Sequence, residues 1–377
     1  MSCRGSARAA WLGAAMLGLW AGEATAQSPT TEPKVEAAPV VDAARSRDHS
    51  LLMMPIPISD PAIGNGLAIG AGVLYHAGGS QRPWVTGGGA FYTDNGSKGA
   101  AVFQKAFLAQ DRFRLAAGAG VGSVNVDFYG IGPAAGERGV SIPINQKAGF
   151  AGGQALMQVA PHLYAGLQYR FIDMKTTIQA ESAPFPDLDI PPVELDTVSS
   201  ALGLAGEYDT RDNEYQPTRG VYVTGAWLVA DEAWGSDRDY SRAELRINGY
   251  RRLNEKTVLA WRASGCWAGD SAPFYDICNY GSQSDLRGYV SGQYRDRTLA
   301  AVQVELRRAL FGRFGVVAFA GVGGVGQNFG DITDELLPSA GVGLRYEASR
   351  KYGVNVGIDY AVGEESSAVY FRIGEAF

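Results

Sequence analysis

Apolar and polar residues alternate with a period of two along most of this chain. Residues 298-309 give the clearest case: Ala300, Val302, Val304 and Leu306 fall on one side, and Ala301, Gln303, Glu305 and Arg307 on the other. Successive side chains of a strand point to opposite faces, so this segment predicts a strand with one apolar and one polar neighbourhood. Read the same way from Leu51 onward, the chain contains sixteen strand candidates: 51-59, 66-76, 83-92, 97-108, 112-123, 147-159, 162-176, 195-208, 219-230, 238-251, 256-267, 298-309, 313-324, 338-347, 352-362 and 367-377. Their connections alternate in length. Ala109-Gln110-Asp111, Ala160-Pro161, Arg252 to Glu255, Leu310 to Gly312 and Ala348 to Lys351 are tight turns, whereas 124-146, 177-194, 268-297 and 325-337 are long loops. Short turns on one rim and long loops on the other describe a transmembrane β-barrel with its long side outside the cell. An even strand number then puts both ends in the periplasm.

Composition supports a closed β structure. The chain holds 50 glycines in 377 residues, well above the common usage of about 7%. Glycine weakens helices but suits strands that curve or approach closely. A chain without a long apolar helix can span a membrane only as a barrel that pairs every backbone group. The net charge of -6 argues against a nucleic-acid partner. At the N-terminus, Arg4 and Arg8 precede an apolar run from Ala9 to Ala21 and the small-x-small site Ala24-Thr25-Ala26. Residues 1-26 therefore read as a signal peptide, the run being short of the roughly 20 residues that an anchoring helix needs. Residues 27-48 lack a usable period and read as a flexible periplasmic tail, with the barrel over 49-377.

Several polar groups then stand out. Tyr240, Arg242, Glu244, Arg246 and Asn248 share one face of 238-251, as Gln303, Glu305 and Arg307 do in 298-309. Such rows cannot face lipid, so they line a wet lumen or hold a loop lying in it. In the final strand Val369, Phe371, Ile373 and Phe377 fall on the apolar side, interrupted by Glu375. Glu375 is expected at the rim, where a charge costs roughly 0-1 kcal/mol. Once Cys3 has left with the signal, Cys266 and Cys278 remain as an even pair in an oxidising compartment. A disulfide between them would contribute on the order of 3 kcal/mol; two free thiols are the other reading.

Three stretches carry a resemblance. The loop 269-297 holds Leu286-Arg287-Gly288-Tyr289, the segment 208-220 reads YDTRDNEYQPTRG, and the chain ends on Phe377. Together they resemble the BamA/TamA-like bacterial surface antigen family of outer-membrane barrels, here a short form without periplasmic domains. Phe128-Tyr129-Gly130-Ile131-Gly132 also looks like a feature of short members. The resemblance implies an all-β, sixteen-stranded antiparallel barrel whose long sixth loop folds into the lumen, with Arg287, Gly288 and Tyr289 at its tip. It implies an acidic partner for Arg287 on the strand 298-309, where Glu305 fits. A second carboxylate, which the family often carries two residues after Phe319, is replaced here by Gly321, leaving Glu305 as the main partner. Asp209, Arg211, Asp212, Pro217 and Gly220 match the family's turn between the eighth and ninth strands. Phe371, Ile373 and Phe377 resemble the C-terminal signal for insertion.

The function implied is outer-membrane protein insertion or protein translocation, in a Gram-negative outer membrane reached through the signal peptide. The implied partners are outer-membrane lipid, lipopolysaccharide and client outer-membrane or secreted proteins. No enzyme, cofactor or metal is expected. His49, His76 and His162 lie beside no nucleophile motif, and 208-220 lacks the spacing of a calcium loop. A passive pore or structural surface barrel is the rival reading, and a lipase-type barrel enzyme the more remote one.

Overall fold

The computed structural model describes residues 49-377 apart from 61, 78-81, 179-193, 215, 282-284, 350-353 and 365. The expected signal peptide and tail lie outside the described residues. In chain order the elements are β1 (His49–Asp60), β2 (Gly64–Tyr75), β3 (Trp84–Thr93), β4 (Lys98–Leu108), β5 (Phe113–Phe128), the short helix α1 (Pro133–Glu137), β6 (Ile142–Ala160), β7 (Leu163–Ile178), β8 (Glu194–Asp209), β9 (Arg219–Ala230), β10 (Tyr240–Asn254) and β11 (Thr257–Ala268). There follow the two-residue strands β12 (Cys278–Asn279) and β13 (Arg295–Asp296), then β14 (Thr298–Ala309), β15 (Phe314–Gly326), β16 (Leu337–Ser349), β17 (Val354–Val362) and β18 (Ser367–Ile373). All but β12 and β13 form one sixteen-stranded sheet in which each strand pairs antiparallel with its neighbours in sequence. The sheet curls until β18 lies beside β1, yet among the described residues no backbone ladder joins those two strands.

The alternation of β14 gives the two faces. Val302 and Val304 are 52% and 49% exposed, whereas Gln303 and Glu305 between them are 2% and 0%. Apolar side chains thus point outward, as a lipid-facing wall requires, and polar ones inward.

Two expectations need correction. The loop expected over 124-146 is shorter, because β5 and β6 continue to Phe128 and back from Ile142. Polar residues pair across this extension, with Asn145 Nδ2 donating to Asn125 Oδ1 at 2.8 Å. The second correction concerns the C-terminus. The last strand ends at Ile373 rather than at Phe377, and Gly374 turns the chain with φ +85°, a conformation that glycine adopts readily. Glu375 is therefore not at a lipid-facing rim. Its carboxylate accepts from Arg345 Nε at 3.0 Å and from Asn355 Nδ2 at 2.5 Å. Phe377, expected beside Phe371 on the apolar face, is instead buried among Tyr222, Tyr250 and Ala260. Its ring lies under the guanidinium groups of Arg262 and Arg307, at 4.6 and 5.3 Å. Phe371 stays on the outward face, and the side chain of Ile373 lies outside the described residues.

Candidate functional site

The loop 269-297 is built around three tyrosines. Tyr289 meets Tyr280 and Tyr294 edge-on, with ring centres 5.2 and 5.8 Å away. These rings pack with Leu286 against Leu299, Ala301, Val325 and Leu337 of the barrel wall. Their hydroxyls need partners once buried; Tyr280 donates to Leu337 O at 2.6 Å and Tyr289 to Pro338 O. Where the loop begins, Cys266 of β11 and Cys278 of β12 are joined by a disulfide with Cα atoms 5.8 Å apart. Alkylating the unreduced, denatured protein should accordingly label neither thiol, and labelling of both would exclude the bond.

Asp276 fastens the loop to the wall. It receives Arg170 of β7, with Nη1 to Oδ1 at 2.8 Å, and the Tyr240 hydroxyl at 2.5 Å, while Arg242 Nε donates to its carbonyl at 2.9 Å. A second connection packs onto the loop from above: Gly132 N donates to Arg295 O at 2.8 Å, and the Arg295 guanidinium lies 5.2 Å from the Phe128 ring. Burial lowers Arg295 to about 10, and its Nε and Nη2 donate to the Gly292 carbonyl.

At the tip, Arg287 is wholly buried. Its Nε and Nη2 donate to Gln303 Oε1 at 3.0 and 2.8 Å, Nη2 also to Glu305 Oε2 at 2.5 Å, and Nη1 to Asp359 Oδ2 at 2.5 Å. The guanidinium stacks 3.4 Å from the centre of the Phe319 ring. A planar, permanently charged fork suits this two-carboxylate seat better than an ammonium would. Two carboxylates therefore receive Arg287, which corrects the expectation, drawn from Gly321, that Glu305 is its main partner without a second one. The second carboxylate comes from Asp359 on β17. A side chain at 321 would collide with Leu286 of the loop, so that position is left small.

The seat continues toward the last strand. Asp359 also receives Arg372 Nε of β18 at 2.6 Å, and Arg345 Nη1 and Nη2. Gly288 N donates to the Tyr370 hydroxyl of β18 at 2.9 Å, and Ser366 Oγ donates to Gly288 O at 2.7 Å. Gly288 has φ +114°, and a Cβ there would stand 3.0 Å from the backbone of the β17-β18 turn. Below, Glu305 accepts from Arg307 Nε at 2.7 Å, and Arg307 Nη2 donates to Phe377 O at 2.5 Å. All these partners are on inward faces, so the loop lies inside the barrel and its tip grips the final hairpin.

The turn after β8 forms a separate feature. Arg211 donates twice to Asp209, at 2.9 and 3.1 Å, and stacks 3.7 Å over Tyr222. Asp212 accepts from the amides of Thr218 and Arg219 at 2.8 and 3.2 Å. Burial opposes its ionisation, but the Thr218 hydroxyl and these amides hold its carboxyl below the usual range. Pro217 is buried, and Gly220 takes φ +103° where the chain returns. Glu214 reaches Lys105 of β4 at 3.1 Å. These residues are not brought to Arg287; they meet the C-terminal tail, since Tyr222 packs against both Arg211 and Phe377.

Residues 140–377 match the model of the Omp85 superfamily domain. The chain belongs to the Omp85 superfamily. Omp85 barrels are proteins of the Gram-negative outer membrane, and the sixteen-stranded sheet agrees with solved examples. BamA from Haemophilus ducreyi lacking POTRA domains 1-3 is similar at 15% identity and TM-score 0.57, over 87% of this chain and 70% of that one. CdiB from Acinetobacter baumannii is similar at 12% identity and TM-score 0.54, and CdiB from Escherichia coli at 12% and 0.57, each over 88% of this chain. The chain spans 60% and 63% of those two CdiB chains. At these identities the likeness is one of fold. No curated protein matches the sequence. Sequence reasoning missed Asp276, Asp359 and Tyr370 in this Omp85 barrel. The signal available for Asp359 was a charge on the inward side of 352-362, between Gly357 and Ala361.

Proposed function

We propose that this Omp85 barrel inserts proteins into the outer membrane or carries them across it, after its own export through the N-terminal signal. The observation that supports the reading is the seam. Fifteen antiparallel ladders hold the sheet together, but among the described residues none links β1 to β18. The last strand is also short, and its position depends on β17 and on the buried loop tip. An unpaired strand edge is a template on which another strand can form, which a protein-inserting barrel needs and a passive pore does not. The clients are polypeptides rich in unpaired strands, met in the presence of outer-membrane lipid.

The test is reconstitution of the full mature chain in liposomes with a urea-denatured outer-membrane barrel as client. Protease-protected, folded client should accumulate faster than in liposomes carrying a closed porin. Equal rates would sink the insertion reading.

A further inference from the structure

Lysine is scarce in this chain and unevenly placed. Lys34 and Lys351 fall outside the described residues, Lys256 sits in a periplasmic turn, and Lys105 is paired with Glu214. The other three, Lys98, Lys147 and Lys175, stand in one lateral row on the outer wall. The ladder registers put Tyr92 opposite Lys98, Lys98 opposite Ser123, Ser123 opposite Lys147, Lys147 opposite Lys175 and Lys175 opposite Asp196. Directly opposed residues share a face, on strands about 4.8 Å apart. Even spacing from exposed apolar residues identifies that face as the outward one: Lys98 is in phase with Val102, Ser123 with Val121 and Lys175 with Leu167.

Strand rise and tilt give the level of the row. A residue climbs about 2.5 Å along the barrel axis, so ten residues from Phe113 to Ser123 span about 25 Å, the height of the apolar band. Ser123 therefore lies where the outer lipid headgroups begin. Each step between paired, tilted strands shifts the level by about 3 Å, so Lys98, Lys147 and Lys175 fall within about 9 Å of height around it. Tyr92, 61% exposed and directly opposite Lys98, stands within about 3 Å of that lysine in height, as aromatic residues do at membrane interfaces.

The charges of the row do not balance from end to end. Asp196 faces Lys175 with 3.8 Å between oxygen and nitrogen, and Asp173 lies two residues below Lys175 on the same face. Asp127 is four residues beyond Ser123 and therefore higher. Lys98 and Lys147 have no acidic partner among the described residues. Lys147 and Lys175 are moreover directly opposed like charges, an arrangement that costs a sheet stability and that Asp196 relieves from the Lys175 side.

We propose that Lys98, Lys147 and Lys175 bind the phosphates of a diphosphorylated glycolipid in the outer leaflet. Lys147 and Lys175, on adjacent strands, bridge one phosphate, and Lys98, two strands from Lys147 and about 10 Å away, takes the other. The aliphatic stems lie along the apolar wall and the ammonium groups reach up to the headgroup.

The test uses the full mature chain in detergent, titrated with diphosphoryl lipid A, with its dephosphorylated form and with inorganic phosphate, bound lipid being read by native mass spectrometry. One basic residue beside an anionic lipid contributes about fivefold in binding. Exchange of all three lysines for Gln should therefore weaken diphosphoryl lipid A at least about twentyfold, with allowance for non-additivity, whereas exchange for Arg should retain it. Heat-modifiable migration of each variant checks that the barrel has folded. If the triple Gln variant does not fold, Lys98→Gln alone should lose about fivefold. Equal binding of the dephosphorylated lipid, or unchanged binding in a folded Gln variant, overturns the proposal. Displacement of the lipid by millimolar inorganic phosphate would assign the row to a free anion instead, and would also overturn it.

Discussion

Arg287→Ala is expected to destabilise the barrel by about 3 kcal/mol, the lower end of the range for breaking a buried ion pair. Glu305 and Asp359 would stay buried and lose one cation, and the Phe319 ring would lose the guanidinium stacked on it. The loss stays at the lower end because Arg307 still faces Glu305, and Arg345 and Arg372 still face Asp359. Urea unfolding in micelles measures it, followed by the shift between folded and unfolded forms on a gel. In a Glu305→Gln background the same replacement should cost less, as for groups that share one interaction. Strictly additive losses would show that Arg287 and Glu305 do not act together.

Deletion of residues 274-294, made with Cys266→Ser so that no lone thiol remains, should turn a nearly closed barrel into an open one. Sixteen strands enclose a lumen wide enough for water when nothing fills it. In the intact protein that space holds Leu286, Arg287 and the tyrosines at 280, 289 and 294, nearly all of them fully buried. Planar-bilayer recordings should give low, fluctuating conductance for the native chain and a several-fold larger, steadier one for the deletion. A large, steady conductance in both would favour the passive-pore reading and count against insertion or translocation.

The two expectations differ in how far they could be read from the amino-acid order. The barrel itself was legible, because strand alternation is a local property. The faces of Val302 and Gln303, or of Leu245 beside Glu244, follow from spacing alone. The alternation of short turns and longer loops was legible in the same way, whereas the tip at Arg287 and its partner Glu305 were what the family resemblance implied, not what spacing showed. The second carboxylate was not. Asp359 is separated from Arg287 by 72 positions, and its role depends on how deep the loop descends and which strands it meets there. Gly321 misled because an absent carboxylate and the room needed by Leu286 look the same in sequence. The end of the chain shows the same limit: alternation carried Phe377 onto the lipid face, whereas the turn at Gly374 takes it inside. That turn is decided by inward polar groups, Arg307 on β14, Arg345 on β16 and Asn355 on β17, which give Glu375 and the Phe377 carbonyl better partners than lipid or the rim could. Local periodicity thus determined the wall, and only the closing of the sheet, which brings remote strands around one lumen, decided what the wall holds.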